Sequence, residues 1–136
     1  MASKLFLDAN VLLEYLLRRQ NEESVRVIFK KIESETIKAY TSTSIIQICE
    51  YFLQKEYGNE TTIKILLGLL NEVEVIDCKH DNVIMALNSS ITDIEDAIQY
   101  YSALQHKMDF FITFDKKLTK HSALNLPILT PMEFLT

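Results

Sequence analysis

The stretch KLFLDANVLLEYLLRR, residues 4–19, joins a short apolar run to a segment with helical periodicity. Its first residues are typical of a strand buried on both faces, and the leucines that follow repeat at the spacing of an amphipathic helix. Asp8 and Asn10 stand at the junction. A carboxylate at the end of a buried strand is partly desolvated, so Asp8 needs either a cation or several N–H donors as its partner.

The same alternation continues along the chain and predicts an α/β fold. Five apolar runs are predicted as strands: KLFLD, IKAYT, VEVID, DFFITF and LPILT. Helical patterns cover residues 11–19, 24–32, 45–55, 61–70, 81–87 and 94–104. The coarse order is βααβααβαβαβ, with a short final helix after Pro131. We therefore expect a three-layer α/β/α architecture whose central, mostly parallel sheet has about five strands.

Length and composition indicate one domain over residues 1–136, because 136 residues with 48% hydrophobic character can bury a core. The net charge of −5 argues against broad nucleic-acid binding, although an acidic metal site would itself lower the charge. Cys49 and Cys78 have apolar neighbours and match no zinc or redox motif, so both are predicted to be buried free thiols. With neither a signal peptide nor a membrane-spanning stretch apparent, a cytoplasmic location is expected.

Acids follow two of the predicted strands, where parallel sheets gather their ligands. Asp8 follows the first strand, and Asp115 follows the strand DFFITF. Capping is the alternative for both, and Asn10 has the position and type of the N-cap of the first helix.

Capping boxes are also predicted before two later helices. Ser44 and Gln47 form the first, and Glu50 lies one turn further on the same face as Gln47. Glu50 is equally compatible with a plain surface position.

The second predicted capping box consists of Thr92 and Glu95. Asp93 and Asp96 are three residues apart at this helix start, where acids complement the helix dipole. Because Ala97 is next in the chain, Asp96 also borders the buried stripe.

Together these acids indicate a metal site. If Asp8, Asp96 and Asp115 converge, they cannot all remain charged without a cation. Clustered carboxylates suit Mg²⁺ or Mn²⁺, and one or two such ions would polarise a phosphodiester and activate water.

Two segments resemble the PIN-domain family, which includes VapC-like toxins and related ribonucleases. FLDANVLLEYLLRR is similar to that family's opening strand and helix, and DIEDAIQYYSALQHKMDFFITFD to its most specific segment. LPILTPMEFL resembles the closing strand and turn. The resemblance implies that Asp8, Asp96 and Asp115 are the metal-binding, catalytic acids and that Thr113 is a supporting hydroxyl.

The chain departs from the family pattern at Gln47, where an acid is normal. Glutamine offers a carbonyl oxygen but no charge. Either Glu50 substitutes from one turn further on, or the site binds metal more weakly.

The resemblance implies an endoribonuclease that uses Mg²⁺ or Mn²⁺, cuts single-stranded RNA and forms the toxin of a toxin–antitoxin pair. It also implies a cognate antitoxin and a homodimer. Glu50 joins the three aspartates as a catalytic candidate. Supporting roles fall to Asn10, Gln47, Asp93, Glu95 and Thr113, and the candidate RNA contacts are Arg18, Arg19, Lys116 and Lys117.

Two other functions stay open. The first is a catalytically weakened PIN domain that acts as an RNA- or protein-binding module, which Gln47 motivates. The second is a phosphoaspartyl enzyme of the haloacid-dehalogenase type with Asp8 as nucleophile, although the chain is short for that family.

Overall fold

The structure is a computed structural model that describes residues 2–122 and 125–136. Its strands are β1 (Ser3–Leu7), β2 (Ile37–Ser42), β3 (Val73–Ile76), β4 (Phe110–Ile112) and β5 (Ile128–Leu129). Its helices are α1 (Ala9–Leu16), α2 (Glu22–Glu33), α3 (Thr43–Leu70), α4 (His80–Leu87), α5 (Ile94–Gln105), α6 (Lys116–Thr119) and α7 (Pro131–Leu135).

The five strands form one sheet in the order β3-β2-β1-β4-β5, and every neighbouring pair is parallel. Helices flank this sheet, so the expected three-layer α/β/α architecture is confirmed. The segment between β3 and β4 contains both α4 and α5, which confirms the helical patterns over 81–87 and 94–104, although the coarse order counts a single helix there.

Two groups of helices cover the sheet. Helix α1 packs against α2 and α3, and α4 packs against α5. Connections between parallel strands are almost always right-handed. The chain moves from β1 towards β3 and then crosses back to β4 and β5, so the two groups lie on opposite faces of the sheet.

The centre of the sheet is apolar because β1 is covered on both faces. Leu5, Phe6 and Leu7 are fully buried. Phe6 stacks on Phe111 of β4, with ring centroids 5.0 Å apart. Burying one such side chain contributes about 1.5–3 kcal/mol. This packing fixes β1 beside β4 and thereby brings the ends of these two strands together.

Helix α3 is broken at Gly58, whose φ of 79° and ψ of 173° are not helical. A positive φ is inexpensive only for glycine, which explains why the long helix changes direction at this residue. The sequence predicts two helices over 45–55 and 61–70, and the break falls in the gap between them.

Two further features concern exposure. Cys49 is buried as predicted, but the prediction is wrong for Cys78, which is exposed because it lies beyond the end of the edge strand β3. Among the helices of residues 2–122 and 125–136, none is long and apolar enough to cross a membrane.

Candidate metal centre

The candidate site lies where the carboxyl ends of β1 and β4 meet. From β1 the chain continues to β2 on one side, and β4 occupies the other side, so the strand order reverses at this point. Ligands bind at such switch points in open α/β sheets. The backbone N–H of Asp8 donates to the carbonyl of Ile112 at 3.0 Å. Asp8 is therefore fixed at the sheet edge, with only 5% of its surface exposed.

Asp8 caps α1 and is held by two donors. Its Oδ1 accepts from the backbone N–H of Ala9 at 2.8 Å, and its Oδ2 accepts from the Thr113 hydroxyl at 2.9 Å. The prediction that Asn10 is the N-cap is wrong, because α1 begins at Ala9 directly after Asp8. The partners that the sequence requires for Asp8 thus include one N–H and one O–H.

Thr113 connects the two strand ends through a single buried hydroxyl. Besides donating to Asp8, its Oγ1 accepts from Asn10 Nδ2 and from the backbone N–H of Asp115, both at 3.1 Å. Asn10 Oδ1 in turn accepts from the backbone N–H of Phe114 at 3.0 Å. Asn10 therefore ties the start of α1 to the segment after β4.

Burial and negative charge raise the pKa of two aspartates. The pKa of Asp8 rises to about 6, chiefly because burial disfavours the ionised form, and the charges of Glu95 and Asp115 add to this. The pKa of Asp96 rises to about 7, first through burial and then through the charges of Asp8, Asp93, Asp115 and Glu95. Acids from three segments of the chain therefore contribute to the raised pKa values at this edge.

This negative charge has no cationic compensation in the part of the chain that the structure describes. The ion pairs among the described residues are Arg26–Glu22, Lys64–Glu60 and His106–Asp77. None of them includes an acid of the candidate site. Every charge that shifts the pKa of Asp96 raises it. A cation bound at this edge would relieve the repulsion.

Two of the acids also start helices. Asp93 Oδ1 accepts from the backbone N–H of Asp96 at 3.0 Å, so Asp93 caps α5. The predicted capping box of Thr92 and Glu95 is wrong, because α5 begins one residue later than that motif requires. Asp115 caps α6 by accepting from the backbone N–H of Lys117 at 2.9 Å.

The donor set fits a hard divalent cation, since its ligand atoms are carboxylate oxygens. The fit does not extend to geometry: within residues 2–122 and 125–136, no group of three or more His, Cys, Asp or Glu side chains could hold a metal ion. The hydrogen bonds to Asp8, Asp93 and Asp115 fix these carboxylates in capping orientations. Metal ligation by Asp8, Asp96 and Asp115 stays a prediction.

Glu50 and Gln47 are not coupled to this group. Gln47 is exposed and Glu50 is half-buried on α3. The charge of Glu50 does not contribute to the raised pKa of Asp8 or Asp96. The catalytic role of Glu50 and the supporting role of Gln47 stay predictions, whereas Asp93 and Glu95 do act electrostatically on the site.

The sequence did not reveal a polar cluster beneath α5. Ser42, which ends β2, caps α3 through the backbone N–H of Ile45 at 3.3 Å, so the prediction that Ser44 is the cap is wrong. The hydroxyl of Ser42 also donates to Gln99 Oε1, and Gln99 Nε2 donates to Ser44 Oγ. Gln99 is 2% exposed and lies one turn after Asp96, so this cluster fixes α5 against the β2–α3 junction.

The basic candidates occupy two different places. Lys116 and Lys117 are exposed in the first turn of α6, directly after Asp115. Arg18 and Arg19 are exposed just beyond the end of α1. Eight helical residues span about 12 Å, so both arginines lie roughly that far along α1 from the acids. RNA contact by these four residues stays a prediction.

Comparison with known proteins agrees with this architecture. A family model described as "PIN domain" matches residues 4–117. No curated protein sequence matches the chain. Solved structures that are similar to this chain include three VapC or VapBC structures, and at 12–16% identity they establish likeness of fold alone.

The first is VapBC2 from Rickettsia felis bound to a DNA fragment from its promoter, with a TM-score of 0.69, 15% identity, and coverage of 92% of this chain and 96% of that one. The second is the sarcin-ricin loop cleaving toxin VapC20 of Mycobacterium tuberculosis, with a TM-score of 0.67, 12% identity, and coverage of 90% of this chain and 98% of that one. The third is DNA-bound VapBC from Salmonella typhimurium, with a TM-score of 0.67, 16% identity, and coverage of 95% of this chain and 98% of that one.

Proposed function

The chain belongs to the PIN-domain family, and from that premise we propose that it is a divalent-metal-dependent endoribonuclease that cuts single-stranded RNA. The observation that carries this proposal is the grouping of Asp8, Asp96 and Asp115 at the switch point of the sheet: burial, and then the charge of neighbouring acids, raises the pKa of Asp8 and of Asp96. Such clustering costs stability and is typical of functional sites.

Asp8, Asp96 and Asp115 would hold one or two Mg²⁺ or Mn²⁺ ions, with Glu50 or the amide oxygen of Gln47 as a further ligand. The bound ion would supply a Lewis acid for the phosphoryl oxygen and lower the pKa of a bound water. Asp93 and Glu95 would orient water at the entrance.

The remaining roles follow from the hydrogen bonds and exposure of the residues. Thr113 and Asn10 hold the Asp8 carboxylate in one orientation. Asp96 has a pKa near 7, so it must lose a proton at its carboxyl group before it can ligate a cation near neutral pH. Lys116 and Lys117 follow Asp115 directly and are suited to contact phosphates of the RNA.

We extend the proposal to the biological role: the chain is the toxin of a toxin–antitoxin pair. Two of the similar structures are VapBC complexes and the third is a toxin described as cleaving the sarcin-ricin loop. A cognate antitoxin would cover the acidic edge, and the toxin would form a homodimer.

A cleavage assay tests the activity. A labelled single-stranded RNA is incubated with the purified chain and Mg²⁺ or Mn²⁺, with or without EDTA. We expect cleavage that EDTA abolishes and that Asp96→Asn reduces by about 100-fold or more. Asp81→Asn is the matched control, because Asp81 is an exposed first-turn acid of α4 outside the site.

The second candidate function is a binding module of the same fold. Two points favour it: Gln47 stands where the resemblance to the family implies an acid, and no three of the acids described by the structure are arranged to hold a metal. Absence of cleavage with either ion, together with RNA binding that EDTA leaves unchanged, would support the module and reject the nuclease.

A further inference from the structure

A groove opens at the opposite edge of the sheet from the acids of the candidate site. It is lined by the amino-terminal parts of β2 and β3 and by the carboxyl-terminal ends of α2 and α3, and its volume is about 850 Å³. The candidate site lies beyond the carboxyl ends of β1 and β4. Strand β1 has five residues, so the two edges are about 16 Å apart.

The groove has an apolar floor and an acidic rim. The floor consists of buried side chains, among them Ile32, Ile37 and Val73. The rim carries four carboxylates and one base: Glu33, Glu35, Glu72, Glu74 and Lys38. This combination fits a ligand with both an apolar part and a positive charge.

The backbone adds to the negative potential. Helix α2 ends at Glu33 and α3 ends at Leu70, and both ends line the groove. Unsatisfied carbonyls give a helix C-terminus a partial negative charge that favours cations. Two helix C-termini at one groove therefore add to the preference for cations that arises from the carboxylates.

One carboxylate oxygen on the rim lacks a partner. Glu72 Oε2 is buried and accepts no hydrogen bond from the residues that the structure describes. A buried acceptor without a donor is destabilising, and an incoming N–H group would relieve this cost. Burial, and then the nearby charge of Glu33, raises the pKa of Glu72.

The shape and charge of the groove discriminate between cationic ligands. A metal ion does not match the apolar floor, since hard divalent cations take oxygen ligands. RNA is disfavoured because the rim would repel phosphates. A guanidinium is weakly hydrated and binds a carboxylate through two N–H groups, and its alkyl stem covers apolar surface.

We propose that this groove docks a segment of a partner protein in which an arginine or lysine is flanked by apolar side chains. The basic group pairs with Glu33 and Glu72, and the apolar side chains cover Ile32, Ile37 and Val73. Docking is independent of the acidic edge, so it does not require the nuclease activity proposed above.

Peptide selection tests the docking. A phage library of random 12-residue peptides is selected on the intact chain and counter-selected on the Glu33→Gln/Glu72→Gln variant. We expect the selected peptides to place arginine or lysine beside apolar residues. A synthetic peptide from this pool should shift the amide resonances of residues 32–40 and 70–74.

Affinity measurements with that peptide use a matched control. The variant Glu56→Gln/Glu60→Gln also removes two negative charges, but from exposed positions of α3 outside the groove. Binding should weaken about tenfold or more in Glu33→Gln/Glu72→Gln and stay unchanged in the control. RNA cleavage, if the proposed function holds, should be the same in both variants.

Three results would overturn the proposal: a selected pool without excess basic residues, equal affinity of the two double variants, or resonance shifts at the carboxyl edge of the sheet. None of these readouts depends on catalysis. Failure of the cleavage assay would therefore leave the docking proposal standing, and failure here would leave the proposed nuclease untouched.

Discussion

Thr113 places its hydroxyl 2.9 Å from Asp8 Oδ2 across 105 positions of sequence. The two residues follow neighbouring parallel strands, so the sheet brings them together. Thr113 is completely buried, so its hydroxyl forms its hydrogen bonds with the groups at this edge. The Thr113 hydroxyl therefore couples the candidate site to the fold, together with the contacts of Asn10.

Thr113→Val should remove this coupling while keeping the shape of the side chain. Asp8 Oδ2 loses its donor, and Asn10 and Asp115 lose an acceptor, so we expect the free energy of unfolding to fall by about 1–3 kcal/mol. Urea denaturation at pH 7.5 measures the change. Thr113→Ser retains the hydroxyl and is the control; equal losses in both variants would show that packing of the methyl group matters more than the hydrogen bonds.

Asp8→Asn should stabilise the metal-free chain above pH 6. The pKa of Asp8 is raised from 3.8 to about 6, so the folded state binds more protons than the unfolded state between these values. Stability therefore falls as pH rises through this window, by about 3 kcal/mol in total. Asparagine has no such cost and still offers an oxygen to the backbone N–H of Ala9.

The measurement is urea denaturation in EDTA at pH 4 and pH 7.5. The variant should match the wild type at the lower pH and exceed it at the higher one. Asp81→Asn, at an exposed position, should differ little from the wild type at either pH. A variant that is less stable than the wild type at pH 7.5 would mean that Asp8 acts mainly as a cap and not as a strained charge.

Affinity for Mn²⁺ should rise steeply with pH between about 6 and 8. Asp8 and Asp96 have pKa values of about 6 and about 7, and a metal ion must displace the protons that they hold. Calorimetric titration with Mn²⁺ at several pH values measures the slope. Asp96→Asn should bind more weakly and with a shallower pH dependence, whereas an unchanged slope in this variant would exclude Asp96 as a ligand.

Lys107→Gly should stabilise the chain because Lys107 has a φ of +58°. Lys107 N–H donates to Leu104 O at 3.1 Å and Met108 N–H donates to Ala103 O at 3.2 Å, which is the Schellman ending of a helix. Glycine adopts this conformation without strain, so the free energy of unfolding should rise by about 1 kcal/mol. The measurement is the melting temperature, which should rise with it. Lys107→Ala removes the same side chain but keeps the strain, and an equal gain in that variant would refute the conformational explanation.

The sequence predicts the acidic edge well because its reasoning depends only on strand order. Asp8 and Asp115 follow apolar runs, and parallel strands end at one edge. Cap positions were harder to predict. Ser42 and Ser44 are both good N-cap residues, as are Asp8 and Asn10, and which residue of each pair caps the helix depends on where the preceding strand ends.

The role of Gln99 could not be predicted from the sequence. It lies between apolar residues of α5 and belongs to no motif. Its partners, Ser42 and Ser44, are more than 50 positions away, and only the packing of α5 over the β2–α3 junction brings them within reach. A buried glutamine is informative once its neighbours are known, and from its contacts we predict that Gln99 positions Asp96.

Gln99→Leu should therefore impair the site as well as the fold. Removing the amide leaves Ser42 and Ser44 with fewer partners, and we expect the free energy of unfolding to fall by about 1–3 kcal/mol. Because Asp96 lies one turn earlier on α5, affinity for Mn²⁺ should fall in the same variant. Asn82→Leu is the matched control. Asn82 lies in α4, outside the site, and its buried amide oxygen accepts from the backbone N–H of Lys79, the residue before the helix.

Both variants should unfold at lower urea concentration than the wild type, but only Gln99→Leu should lose Mn²⁺ affinity at a temperature where both are folded. The comparison separates positioning from stability, because the control removes a buried amide of the same chemistry. If Mn²⁺ affinity falls equally in the two variants, general loosening of the fold accounts for the effect. If it falls in neither, α5 holds Asp96 in place without the contacts of Gln99.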